Sequence, residues 1–167
     1  MKSKIILLAI MSLVIVALDQ ITKNMIVQDF KYGESIEIIA NFFNITYVKN
    51  FGAAFGMLSK VEPNLRHYFF LLMPPFAMTV ILFMLKVAPA KETIRKISLC
   101  AVFAGALGNY IDRLRFGYVV DFLDFHWYEK YEWPAFNVAD ISIVCGVSVL
   151  IVLEIIAPIP EKKKENV

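Results

Sequence analysis

The stretch Ile5–Val27, IILLAIMSLVIVALDQITKNMIV, decides the fold class. It carries no ionisable side chain before Asp19, and its apolar character continues past that residue to Val27. A bilayer hydrocarbon core about 30 Å thick takes roughly 20 helical residues at about 1.5 Å each, so this stretch is long enough to cross. Lys2 and Lys4 ahead of it imitate the basic start of a secretory leader, but no small-x-small cleavage site follows, and the spacing predicts a retained helix. Three more stretches have the same character, at about 68–87, 96–116 and 138–157. The expectation is a membrane all-α fold, a four-transmembrane-helix bundle built as a single membrane domain over residues 1–167.

Composition points the same way. Of 167 residues, 59% are apolar and the mean hydropathy is +0.63, against roughly 45–50% apolar for a soluble domain. So small a chain cannot hide that much apolar surface in a core, and the excess has to face lipid. The net charge of +2 is too small to mark a nucleic-acid binder. The basic residues cluster instead by position. Lys2 and Lys4 precede the first helix, Lys86, Lys91, Arg95 and Lys96 flank the turn between the second and third, and Lys162, Lys163 and Lys164 follow the fourth. Alternating helices put all three clusters on one side, which the positive-inside rule makes cytoplasmic, giving an N-in/C-in topology.

Both long loops then lie outside. The first, about 28–67, contains SIEII and NITYV, two short β-branched runs that predict a strand pair, a small extracytoplasmic β-cradle. The second holds Trp127, Tyr128, Tyr131 and Trp133, the side chains of an aromatic belt at the headgroup level. Cys100 and Cys145 sit inside apolar runs, and His67 and His126 stand alone in loops. That pattern predicts neither a disulfide framework nor a metal site.

Charged groups at the bilayer centre cost about 2.5–3.5 kcal/mol each on insertion scales, so those inside predicted helices need a reason. Asp19, Asp112, Arg113 and Asp140 lie within or at the ends of these helices, and Asp121 comes a few residues after the third. Counted along the helices, the acids converge on one level at the outer rim. Each has a structural explanation. Asp19 and Lys23 are spaced i,i+4 and can pair, with Lys23 snorkelling outward. Asn109, Asp112 and Arg113 share one helix face and can lock the third helix to a neighbour. Asn137 fits an N-cap, which puts Asp140 at the third helical position, where an acid complements the helix dipole. Gly105 and Gly108 read as a close-packing surface. A cap accounts for Asp140 but not for Asp121. Two carboxylates held close cannot both ionise easily, so one keeps a proton while the other acts as base. Such a pair can activate water for amide hydrolysis without a metal or a covalent intermediate.

Five motifs then occur in order: Asp19-Gln20 with Thr22-Lys23, Asn50-Phe51-Gly52-Ala53-Ala54-Phe55, Gly108-Asn109-Tyr110-Ile111-Asp112-Arg113, Val119-Val120-Asp121-Phe122, and Phe136-Asn137-Val138-Ala139-Asp140. By these the chain resembles the bacterial lipoprotein signal peptidases, also called signal peptidase II, over nearly its whole length. The resemblance implies a multi-pass aspartyl endopeptidase of the inner membrane with its site at the extracytoplasmic face. It implies removal of the signal peptide from diacylglyceryl-modified prolipoproteins by a cut just before the lipidated cysteine. Carried over by motif, Asp121 and Asp140 are the catalytic pair, and Asp19, Asn50, Gly52, Asn109, Arg113 and Asn137 shape the site or hold substrate. Asp112 belongs to the same motif as Asn109. No metal or cofactor is implied. The implied partners are prolipoproteins and membrane lipids, with globomycin as an inhibitor. The family also implies that the strand pair forms a cradle at the membrane surface and that the Asn50–Phe55 segment covers the site.

Other classes fit less well. A proton-coupled carrier also uses intramembrane acids, but these sit at the rim and not at the midplane, and no inverted repeat is visible. A presenilin-like protease would carry a GxGD sequence, which is absent. A non-catalytic assembly subunit leaves the acid cluster unexplained.

Overall fold

The structure is a computed structural model that describes residues 1–52, 62–128 and 130–156, with the backbone alone at 63, 64, 66 and 67. The chain order is helix α1 (Lys2–Asp29), strands β1 (Ser35–Ile39) and β2 (Phe43–Asn50), helices α2 (Pro63–Val87) and α3 (Thr93–Phe116), strands β3 (Val119–Trp127) and β4 (Tyr131–Glu132), and helix α4 (Val138–Ile156). The four helices fall on the four apolar stretches read from the sequence.

Among the described residues three helices are long and apolar enough to cross a bilayer: α1, the Tyr68–Val87 part of α2, and α4. Their outward faces carry large exposed apolar side chains, among them Leu13, Leu72, Phe83, Val144 and Ile155, as a lipid-facing surface requires. The result is a multi-pass membrane fold. Helix α3 differs. Its 24 residues span roughly 36 Å, yet it is not among the apolar three. Its place in the bundle explains why. It packs against α1, α2 and α4 alike and buries Ser98, Asn109 and Asp112, so less of its surface has to suit lipid.

Close approach of α3 to its neighbours depends on two glycines, as the sequence suggested. A Cβ at Gly105 would lie 2.4 Å from the Ala139 carbonyl oxygen of α4, and one at Gly108 would lie 2.7 Å from Asp19 Oδ2 of α1. At one end of the bundle Leu85, Ala88, Leu99 and Cys100 form a buried cluster. There the Lys4 ammonium donates to the carbonyls of Lys86 and Ala88, tying the start of α1 to the end of α2. At the other end Ile26, Tyr47, Val120 and Phe122 join α1 to the sheet.

The expected strand pair is present as β1 and β2, but the sheet has four antiparallel strands in the order β1-β2-β3-β4. The addition that matters is β3, whose first four residues are buried. It pairs with β2 in a register that sets Asp121 opposite Val48 and Val119 opposite Asn50. Sequence periodicity hid this strand, because Val119-Val120-Asp121-Phe122 is buried on both faces and does not alternate.

Candidate active site

Helix α3 stops at Gly117, whose φ of 76° is a left-handed cap and whose N–H donates to the Arg113 carbonyl. Asp112 secures the entry into the next strand. Its Oδ2 accepts from the Val120 N–H at 3.0 Å, so an acid in the last turns of α3 fixes the start of β3. The next residue is Asp121, buried. From the neighbouring strand Asn50 donates Nδ2 to Asp121 Oδ2 at 2.9 Å, while its own Oδ1 accepts from the Gly52 N–H at 2.8 Å.

The chain then returns along β3. Phe136 and Leu123 exchange backbone hydrogen bonds at 3.0 and 2.8 Å, which delivers Asn137 to the side of Asp121. Asn137 caps α4 as the sequence indicated. Its Oδ1 accepts from the Asp140 N–H at 2.9 Å, and Asp140 Oδ2 accepts from the Asn137 N–H at 3.2 Å, a reciprocal capping box. The Asn137 Nδ2 group donates to Asp121 Oδ1 at 2.7 Å. One asparagine therefore holds both acids, one by its side chain and one by its backbone. Both face a cavity of about 740 Å³, whose walls include Val48, Phe51, Trp133, Ile141 and Val144.

Behind this pair lies a buried ionic cluster. Lys23 Nζ is 2.9 Å from Asp19 Oδ2 and 3.0 Å from Asp112 Oδ2, with Lys23 only 2% exposed. The Asp19–Lys23 pair is as expected, but Lys23 does not snorkel outward. It turns inward because Asp112 offers a second carboxylate, and it also donates to Asn109 Oδ1 at 2.9 Å. Asp19 reaches α4 as well, where its Oδ1 accepts from the Ala139 N–H at 2.9 Å. Asn109 donates Nδ2 to Asp140 Oδ1 at 2.7 Å and accepts from Asn137 Nδ2 at 3.1 Å. Asp19, Asn50, Asn109, Asp112, Asp121, Asn137 and Asp140 thus form one hydrogen-bonded network.

Arg113 and Gly52 stand at its edge. The Arg113 guanidinium donates to the Asn109 carbonyl at 3.3 Å and lies 5.6 Å from the Phe70 ring centre, while its charge acts on Asp140, Asp121 and Asp112. Gly52 has a φ of 93° and lies against the same Phe70 ring. Of the segment expected to cover the site, Ala53, Ala54 and Phe55 lie outside the described residues. Gln20 and Lys23 were read from sequence only as motif residues, with Lys23 as the helical partner of Asp19, and Lys49 was not singled out at all. Gln20 donates to Asp112 Oδ1 at 2.8 Å. Lys23 joins two acids to Asn109. Lys49, on the cavity wall, has its ammonium over the rings of Tyr32, Tyr47 and Tyr118 at 4.9, 5.7 and 5.1 Å. Only the i,i+4 spacing of Asp19 and Lys23 offered a local signal. The other contacts join residues far apart in the chain.

Burial pushes the Asp121 carboxyl up to about 7, and the negative charge of Asp140 adds to the effect, against the bonds from Asn50 and Asn137. An acid that holds its proton to neutrality beside a second carboxylate can donate to a developing oxyanion while its neighbour takes a proton from water.

Two acids cross-braced in the lining of an apolar cavity, in a multi-pass membrane protein, have the chemical outline of a membrane-embedded hydrolase. Comparison with known proteins is specific. A family model described as signal peptidase (SPase) II matches residues 11–156. The chain is similar to the lipoprotein signal peptidase of Desulforapulum autotrophicum, 42% identical over 154 residues, covering 92% of this chain and 94% of the relative. It is similar to that of Syntrophotalea carbinolica at 41% identity over 148 residues, with 89% and 90% covered. A solved bacterial membrane enzyme superposes with a TM-score of 0.79 at 32% identity, covering 96% of this chain and 94% of that one. The chain belongs to the signal peptidase II family and is a protease.

Proposed function

We propose that this protein removes the signal peptide from diacylglyceryl-modified prolipoproteins by cutting just before the lipidated cysteine, with Asp121 and Asp140 as its catalytic pair. The observation that carries the assignment is the cross-bracing by Asn137 of two acids that both line the apolar cavity. In this mechanism the ionised partner takes a proton from water, the water oxygen attacks the scissile carbonyl, and the protonated partner donates to the carbonyl oxygen. Collapse of the tetrahedral intermediate then returns a proton to the leaving amine and the shared proton to the pair. Asn50, Asn109 and Asn137 hold the acids in register, and Arg113 supplies positive charge beside them. The apolar cavity wall suits acyl chains and the small side chains ahead of the cut, and globomycin would compete for the same space.

Helix α3 is read as a fourth crossing, sheltered by its three neighbours, with the basic chain ends cytoplasmic and the site at the extracytoplasmic face of the inner membrane. The test is cleavage by purified protein in detergent of a lipobox peptide with and without diacylglycerol on its cysteine. Cleavage of the lipidated peptide alone is expected. Comparable rates on both would show that the lipid is not recognised, and no cleavage of either would remove the assignment.

A further inference from the structure

Lys23 takes no part in these proton transfers, yet it is buried and bonded into the site. Its placement decides how Asn109 sits. An ammonium has only donors, so the Asn109 group facing Lys23 Nζ at 2.9 Å has to be the amide oxygen. The Asn137 Nδ2 group meets the same oxygen at 3.1 Å. The Asn109 NH2 group is then forced toward Asp140 Oδ1, at 2.7 Å. The other Asp140 oxygen faces the Asn137 N–H, which cannot accept. Both oxygens of Asp140 therefore meet donors whose direction cannot be reversed, at the third position of a helix whose dipole favours negative charge.

Asp121 is supported less firmly. Its Oδ1 shares the Asn137 NH2 group with the Asn109 amide oxygen and the Val120 carbonyl, three acceptors for two hydrogens. Its Oδ2 meets the Asn50 NH2 group, which the Gly52 N–H fixes as a donor, so Asp121 differs from Asp140 in sharing one of its donors and in having no helix terminus behind it.

We propose that Lys23 is a positioning residue: acting through Asn109, it holds Asp140 as the accepting carboxylate and so leaves the proton of the pair on Asp121. This rests on the assignment of Asp121 and Asp140 as the catalytic pair, and it makes Asp140 the base toward water and Asp121 the acid toward the carbonyl oxygen. The charged groups facing Asp140 are Lys23 and Asp19 from α1, Arg113 from α3 and Asp121 from β3. Lys23 itself faces Asp19 and Asp112. Asp19 and Asp112 have other donors in the Ala139 N–H, the Gln20 amide and the Val120 N–H, so neutralising them is not the whole role of Lys23.

The test is the pH dependence of kcat and KM on a lipidated peptide for wild type, Lys23→Met, Asn109→Ala and the double variant. Without the cation Asp140 ionises less readily, so the acid limb of the bell should move up by about one pH unit, with kcat down about tenfold or more and KM within about twofold. In the Asn109→Ala background Lys23→Met should move that limb clearly less than it does alone, leaving only the direct effect of the Lys23 charge on Asp140. A Lys23→Met enzyme that folds with an unmoved bell, or one whose shift is equally large without Asn109, overturns the inference. If Lys23→Met does not fold, Lys23→Met with Asp19→Asn removes one charge of each sign and is read against Asp19→Asn alone, because Asp19 also faces Asp140. Asp121→Asn and Asp140→Asn run alongside. If these retain turnover, the catalytic pair itself is wrong; if they are dead while the Lys23 profiles are unmoved, only the role of Lys23 fails.

Discussion

Asp121→Asn should reverse its effect on stability between acid and alkaline solution. In the folded protein Asp121 keeps its proton to about pH 7 because it is buried beside Asp140, whereas on an unfolded chain a comparable carboxyl releases it near pH ~3.9. The folded value is raised, so the stability contributed by neutral Asp121 is fully present below about pH 4 and is lost as the pH rises through about 7. A gap of about 3 pH units corresponds to about 4 kcal/mol. Asn does not titrate. Its oxygen can take the bond from Asn137, but its NH2 group then faces the Asn50 NH2 group, which the Gly52 N–H holds in place, and two opposed donors cost about 1 kcal/mol. The variant should therefore melt below wild type at pH 4 and above it at pH 8. The melting-temperature difference should swing on the order of 10 °C, given about 2–4 °C per kcal/mol for a chain of this size. The assay is thermal melting of both proteins in one detergent across that range by tryptophan fluorescence. The swing belongs to the coupled pair, so Asp140→Asn is melted alongside. A difference that stays constant with pH, or moves the other way, would refute the argument.

Three further outcomes are expected from the geometry. Asp121→Asn and Asp140→Asn should each remove nearly all cleavage per folded molecule, and the double variant should be little worse, because groups acting as one unit are not additive; near-native turnover in either would show that it is not part of the pair. Gly105→Ala would press a methyl onto the Ala139 backbone oxygen of α4, so that one of the helices has to shift, and should cost about 1–3 kcal/mol of stability, read as a lower melting temperature in detergent; an unchanged melting temperature would show that the seam can open. Reporter fusions at Lys91 and after Lys164 should report cytoplasm, and a fusion in the 28–67 loop the outside; an external signal at Lys91 would put the site on the wrong face.

How much of this was legible in the sequence depends on the range of each interaction. The helices were, because apolar runs of membrane length need no tertiary context. The capping of α4 by Asn137 was too, since a cap spans three residues, and so was the pairing of Asp19 with Lys23 one turn on. The inward turn of Lys23 was not, because it is set by Asp112 and Asn109 on another helix, 86 positions from Lys23 in the case of Asn109. β3 was hidden for a different reason. Buried between β2 and the helices, Val119–Phe122 shows no alternation, and its Asp121 reads locally as a break in an apolar run. The polarity of α3 was visible, but the shelter that permits it comes from three neighbours whose arrangement no single stretch encodes.

The reciprocal bonds between Asn137 and Asp140 begin a helix and brace one acid of the proposed catalytic pair with the same atoms. Most proteins keep scaffold and chemistry separable, so that one can drift while the other is preserved. Here a change that re-aims the acid also resets where α4 starts, and fraying of that first turn would release Asp140 from Asn137. A compound lodged against these two residues would leave little room for escape by substitution at either. Tolerable variation would have to come from Val48, Ile141 and Val144 along the cavity wall, apolar side chains that can change shape without unfastening the helix.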